Sequence, residues 1–149
     1  MTSNGNGRCF CRGITFRLSA EPISFVVCHC RDCQYASGGS PACVLVVPAT
    51  GLDILDGKSL VADYRSMADS GRAVTRHFCS RCGTPMFETL EADPTIRLVK
   101  AGTLDEPGGL KVDATAWTDS AQPWAMIDPE TEQFRQDLVF PFVCTTGAD

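Results

Sequence analysis

Apolar and polar residues alternate along much of the chain, and Gly, Pro, Asp and Ser interrupt the alternation at short intervals. Residues 14–18 (Ile-Thr-Phe-Arg-Leu) place every second side chain on one face, the pattern of a half-buried strand. A second strand is predicted over 23–27, running into Cys28. The continuous apolar stretch 42–47, bounded by Pro41 and Pro48, suits a buried strand. Further strands are predicted at 52–55, 60–64, 73–78, 86–90, 96–101 and 110–117, each closed by turn-forming residues. Helical signals are sparse. One short helix is predicted over 31–36, ended by Gly38-Gly39, and another over 129–136, with Asp128 as N-cap and Glu130 and Glu132 in its first turns. Short strands with punctuating turns indicate a mainly β fold.

A chain of 149 residues fits one compact domain with a real core, and no linker, repeat or low-complexity tract divides it. Residues 1–6 are polar and Gly/Asn-rich and read as a disordered lead-in, so structure is expected to start at Gly7. A net charge of −5 opposes general binding to nucleic acid or anionic membranes, which calls for a clustered positive field. No apolar stretch approaches the ~18 residues of a membrane helix and no signal core opens the chain, so the expected address is cytoplasmic.

Nine cysteines change this picture, because a reducing cytoplasm gives disulfides little role and leaves metal ligation or thiol chemistry to account for them. Cys9-Phe10-Cys11 and Cys79-Ser80-Arg81-Cys82-Gly83 together supply four thiolates, the donor set of a closed tetrahedral zinc site. Zinc there would pin the first strand to a much later one, and Gly83 suits the tight turn of the second knuckle. A redox pair at Cys79 and Cys82 is the alternative, although thioredoxin-like motifs belong to a βαβ context.

Cys28-His29-Cys30-Arg31-Asp32-Cys33 offers three more thiols at a spacing that one metal can collect. Closed structural zinc sites use four protein ligands, whereas catalytic ones keep three and leave a position for water or substrate. Cys28, Cys30 and Cys33 therefore suggest an open zinc site. The alternative is a second closed site completed by Cys43, Cys144 or His77. His29, between two ligands, is expected to point away from the ion or into solvent. Cys43 reads as a buried small hydrophobe and Cys144 as a bystander, and His77 receives no role. Trp117 and Trp124 are expected in the core, with a place beside the open site as the sharper reading. Arg31 could offset the site's negative charge, or could simply be solvated.

The ordered motifs C-x-C-x-G, C-H-C-x-x-C followed by Ser-Gly-Gly-Ser-Pro, and F-C-x-x-C-G resemble the glutathione-dependent formaldehyde-activating enzyme family, shared with centromere protein V. The resemblance runs from about Gly7 through Ala101-Gly102-Thr103-Leu104-Asp105 to Trp117-Thr118-Asp119-Ser120 and Trp124. It implies a β-tent of packed antiparallel sheets and a single zinc-binding domain over 7–145. It also implies a structural zinc on Cys9, Cys11, Cys79 and Cys82 and a second zinc on Cys28, Cys30 and Cys33. The implied activity is a carbon–sulfur lyase reaction, written in synthesis as glutathione plus formaldehyde giving S-hydroxymethylglutathione. Relatives often carry histidine two residues before the tryptophan of the W-T-D-S-like stretch, where this chain has Thr115.

The functional expectation is a zinc enzyme whose Cys28, Cys30 and Cys33 site activates a glutathione-like thiol toward a small aldehyde, since the thiolate is the nucleophile and metal charge favours it. Two rivals stand beside it. One is a non-catalytic binding module with structural zinc only, and the other is a redox sensor that releases zinc on thiol oxidation.

Overall fold

The computed structural model describes residues 5–39 and 41–138. Among them are eleven strands and one α-helix: β1 (Asn6–Arg8), β2 (Thr15–Leu18), β3 (Ser24–Cys28), α1 (Arg31–Ser37), β4 (Ala42–Pro48), β5 (Leu52–Asp56), β6 (Val61–Met67), β7 (Ala73–Cys79), β8 (Pro85–Leu90), β9 (Asp93–Lys100), β10 (Ala114–Ala116) and β11 (Glu132–Gln133). They build a three-stranded sheet ordered β1-β2-β5 and an eight-stranded sheet ordered β11-β10-β3-β4-β9-β8-β7-β6. The mainly β expectation holds.

Strand β4 organises the core. Its side chains alternate between faces, and both faces are buried. Leu45 and Val47 join Phe16 and Leu18 of β2, Met86 of β8 and Val99 of β9 in one cluster between the two sheets. Val44 and Val46 join Val26, Val74, Leu90 and Ala116 in a second cluster on the opposite face. Burial on both sides explains why residues 42–47 read as an unbroken apolar run. Each fully buried branched side chain contributes about 1.5–3 kcal/mol of transfer free energy, so this strand is among the costliest to disturb.

Several expectations need correction. Strand β1 starts at Asn6, paired with Arg17, and the Gly5 carbonyl accepts a bond from Leu18 N–H at 2.8 Å, so ordered structure reaches into the expected lead-in. Residues 129–136 are not helical. Asp128 Oδ1 accepts from Glu130 N–H at 2.9 Å and its carbonyl accepts from the Thr131 hydroxyl at 2.8 Å, which makes a turn. The segment has one large apolar side chain, Phe134, too few for a buried helical stripe. It instead lies beside β10, with Phe134 N–H bonded to the Thr115 carbonyl at 2.8 Å.

Strand β10 occupies only three residues of the expected 110–117 and pairs parallel with both β3 and β11, so the large sheet is mixed, not wholly antiparallel. Cys43 is exposed although it shares the alternating face of Leu45 and Val47. Cys144 lies outside the described residues.

These two neighbours on one face give a direct test of the packing. Leu45 is 1% exposed, so Leu45→Ala is expected to cost about 2–5 kcal/mol. Cys43→Ala should stay within about 0.5 kcal/mol of the parent. Urea denaturation of both variants against the parent checks the contrast.

Candidate functional site

Cys9 and Cys11 sit in the tight connection between β1 and β2. Cys9 N–H donates to the Ile14 carbonyl at 3.1 Å, Arg12 N–H returns to the Cys9 carbonyl at 3.0 Å, and Arg12 takes the left-handed backbone region at φ 66°. Cys79 ends β7 and Cys82 lies in the turn to β8. That turn closes through Gly83 N–H to the Cys79 carbonyl at 2.7 Å, with Gly83 at φ 76°, a conformation that glycine adopts without steric cost. The two knuckles belong to different sheets and meet between them.

All four sulfurs lie within 4.8 Å of one another. Cys9 Sγ is 3.5 Å from Cys11 Sγ, which is 3.8 Å from Cys79 Sγ. Four sulfurs held tetrahedrally at about 2.3 Å from a zinc ion would stand about 3.8 Å apart, and a disulfide would bring two of them to about 2.05 Å. The eight described cysteines are all free. Ile14 N–H donates to Cys9 Sγ at 3.2 Å. The Cys82 thiol is lowered to about 5, first by its bond with the Thr84 hydroxyl, 3.1 Å away. This donor set fits a closed metal site. The C-x-x-C pair lies in a β-hairpin turn and not at a helix start, which removes the context of a thioredoxin-like redox pair.

Cys28, Cys30 and Cys33 come together at the end of β3 and the start of α1, their sulfurs also within 4.8 Å of one another. Cys30 is the N-cap of α1, and its sulfur accepts from Cys33 N–H at 3.3 Å. Gly38, at φ 81°, closes the other end of the helix. Among the described residues no fourth Cys, His, Asp or Glu joins the three. His77 stacks on Phe87, with ring centroids 4.4 Å apart, and its Nε2 meets Thr89 Oγ1 at 3.2 Å.

The three sulfurs behave as a unit. Cys30 is drawn down to about 2, first by its hydrogen bond with Cys28, then by Cys33, with the charge of Arg76 adding to the effect. Cys28 is pushed up to about 12, chiefly by the same bond to Cys30, and Cys33 is pushed up chiefly by Cys28. Of the three, Cys30 is the thiol whose surroundings most favour the thiolate form.

These thiols line a chamber together with Val44, Val46, Arg76, Glu88, Ala116 and Trp117. Glu88 is buried, with Lys100 Nζ at 2.6 Å and Arg76 Nε at 3.6 Å. Arg76 also donates to Ser66 Oγ at 2.9 Å. The positive charge beside the thiols thus comes from Arg76 and not from Arg31, which bonds Gln34 Oε1 and stacks over Tyr35 on the outside of α1. Arg76 and Glu88 were missed by sequence reasoning. A charged residue on the inward face of an alternating strand was the available signal, but it does not say which strand it will face.

Trp117 lines the chamber, as its sharper reading held, whereas Trp124 is 72% exposed and borders a separate hollow with His29 and Gln34. His29 is buried, not solvated. Its Nε2 has no partner among the described residues, and burial lowers its proton affinity. Thr115 is buried with its hydroxyl 3.0 Å from Thr131 Oγ1 and takes no part in lining the chamber.

Residues 4–120 match the family described as glutathione-dependent formaldehyde-activating enzyme, and that span contains all seven clustered cysteines. The chain belongs to this family. A Halomonas elongata protein, provisionally named for glutathione-dependent formaldehyde activation, is 28% identical over 83 residues, covering 54% of this chain and 53% of its own. Proteins of Aspergillus flavus and Aspergillus oryzae with the same provisional name are 29% identical over 91 residues, 60% of this chain and 46% of theirs. The matched stretch therefore spans about half the length of these curated relatives. A Rhodobacter sphaeroides protein of solved structure shares the fold at a TM-score of 0.55 and 17% identity, over 71% of this chain and 90% of that one. In this member of the formaldehyde-activating family, no helix among the described residues is long and apolar enough to cross a membrane.

The buried ionic group beside the chamber can be tested by removing its centre. Glu88→Ala would leave Arg76 and Lys100 without their shared counter-charge, and a loss of about 3 kcal/mol is expected. Measuring the urea midpoint checks this, and Glu88→Gln should lose less because it keeps a hydrogen-bond acceptor.

Proposed function

We propose that the chain is a zinc-dependent carbon–sulfur lyase that joins a glutathione-like thiol to a small aldehyde, in a reducing cytoplasm. The observation that carries this reading is the contrast between the two cysteine clusters. One gathers four thiols between two sheets, and the other gathers three at the wall of a chamber with no fourth ligand among the described residues. Four ligands close a structural site, and three leave room for a substrate sulfur. Both donor sets suit zinc, one closed on Cys9, Cys11, Cys79 and Cys82 and one open on Cys28, Cys30 and Cys33.

Bound at the open site, zinc would supply the charge that makes a substrate thiol a thiolate. Cys28, Cys30 and Cys33 hold their sulfurs at the chamber wall, and Arg76 offsets part of the negative charge that they collect. Val44, Val46 and Ala116 keep water from that side. The bond formed joins the substrate sulfur to the aldehyde carbon. The thiol proton is lost to solvent, the carbonyl oxygen takes up one proton to become a hydroxyl, and the reverse reaction undoes both. Family membership supports glutathione and formaldehyde as the reference pair.

Elemental analysis and native mass spectrometry, before and after mild chelation, test the assignment. Two zincs are expected, one of them readily removed. Cys30→Ser should lose the labile zinc and thiol–aldehyde addition while keeping its unfolding midpoint, and Cys79→Ser should lose cooperative folding. A single tightly held zinc, with no addition in the parent, would leave a zinc-stabilised binding module.

A further inference from the structure

The chamber beside the three thiols is of a chemical kind that neither glutathione nor formaldehyde explains. Its volume is about 100 Å³. Val26, Val44, Val46, Leu98, Ala116 and the indole of Trp117 make an apolar wall. Of the charged groups that border it, Arg72 pairs with Asp137 and Arg76 with Glu88, and the exposed Asp69 adds a further negative charge at the edge. A tripeptide thiol carries two carboxylates, an ammonium group and two peptide units, and each would lose water here against paired charges and hydrocarbon. Formaldehyde has no carbon beyond the carbonyl and gains nothing from an apolar wall. An apolar cavity of about 150 Å³ takes a benzene molecule, so a hollow of about 100 Å³ has room for an alkyl group of three to five carbons.

We propose that this chamber receives the alkyl group of a C4–C6 aliphatic aldehyde, whose carbonyl carbon then lies at the thiol cluster. The inference rests on the thiol–aldehyde reading above and extends it to the second substrate. The bond change is unaltered: the thiolate sulfur adds to the carbonyl carbon, and the oxygen takes the proton. The alkyl group makes no new bond and contributes only burial.

The test uses the full-length, zinc-loaded protein with one thiol and a series of straight-chain aldehydes. Acetaldehyde and butanal have similar carbonyl reactivity and differ by two methylenes. Burial favours each methylene about fourfold, so kcat/KM should favour butanal by roughly fifteenfold. Preference should fall again for octanal, which exceeds the chamber. Val46→Phe fills the space and is expected to cut the butanal-to-acetaldehyde ratio at least tenfold, and Ala116→Val serves if that variant does not fold. 1-Butanol, which cannot react, gives a readout independent of turnover: saturable binding should perturb tryptophan emission and the effect should vanish in Trp117→Phe. Addition that proceeds with acetaldehyde at least as well as with butanal, with no saturable butanol binding, overturns this inference and leaves the thiol–aldehyde reading standing. Failure of addition with every aldehyde overturns that reading, and the alkyl-binding claim is then decided by butanol alone.

Discussion

The fold depends on bringing two distant stretches of chain to one point between its sheets. Cys11 and Cys79 are 68 residues apart in sequence and 3.8 Å apart at their sulfurs. Closing a loop of that length costs about 4 kcal/mol in chain entropy by the logarithmic law, before any contact is gained. Packing supplies part of what opposes this cost, since Cys9 and Cys79 lie fully buried in the same cluster as Ile14, Phe16, Leu18, Leu45 and Met86. Sulfur ligation at that junction would act on the same closure, because a metal bound by all four thiols binds only the folded chain. The three-stranded sheet, with few strands of its own, is held to the large sheet by the cluster and by this junction.

The second cysteine cluster is positioned by different means. Cys28 ends a strand, Cys30 caps a helix and Cys33 lies one turn later, so local backbone geometry gathers all three within six residues. Its long-range connection is electrostatic. Arg76 reaches the cluster from β7, and Glu88 on β8 and Lys100 on β9 hold it in place. A lone arginine in so apolar a wall would carry a heavy desolvation cost. Glu88 offsets that cost, and Lys100 in turn balances Glu88. The three antiparallel strands therefore deliver one tethered positive charge beside the three thiols.

How much of this was readable from the sequence follows the range of the interactions. Cysteine spacing is local chemistry, so Cys9-x-Cys11, Cys28-x-Cys30-x-x-Cys33 and Cys79-x-x-Cys82 could be grouped before any fold was known. Alternation is local too, and it located most strands, including the doubly buried β4. Partnership between strands is not local. Nothing in Thr75-Arg76-His77 says that Arg76 will face Cys30, and Arg31 was the nearer candidate only because it is adjacent in sequence. The same limit explains residues 129–136. Asp128, Glu130 and Glu132 are good helix-start residues, yet the segment offers only Phe134 to a core, and pairing alongside β10 buries it better than a helix could. Parallel pairing of β10 between β3 and β11 likewise depends on where the chain returns, which alternation does not encode.

Chemical division of labour between the clusters follows from where they sit. The four-thiol set has both of its knuckles in tight turns and two of its cysteines fully buried, and any ion there would have its coordination filled by protein, with no position left for a substrate sulfur. The three-thiol set opens onto a chamber, and its surroundings favour the thiolate form most at Cys30. The wall opposite is largely hydrocarbon and most of the charges at its border are paired, which favours a neutral, apolar occupant over a charged one. On the proposed reading, the polar remainder of the thiol would extend away from the chamber toward solvent, and thiol and aldehyde would approach the cluster from different sides. Such a separation would let one substrate be recognised by polar contacts and the other by burial.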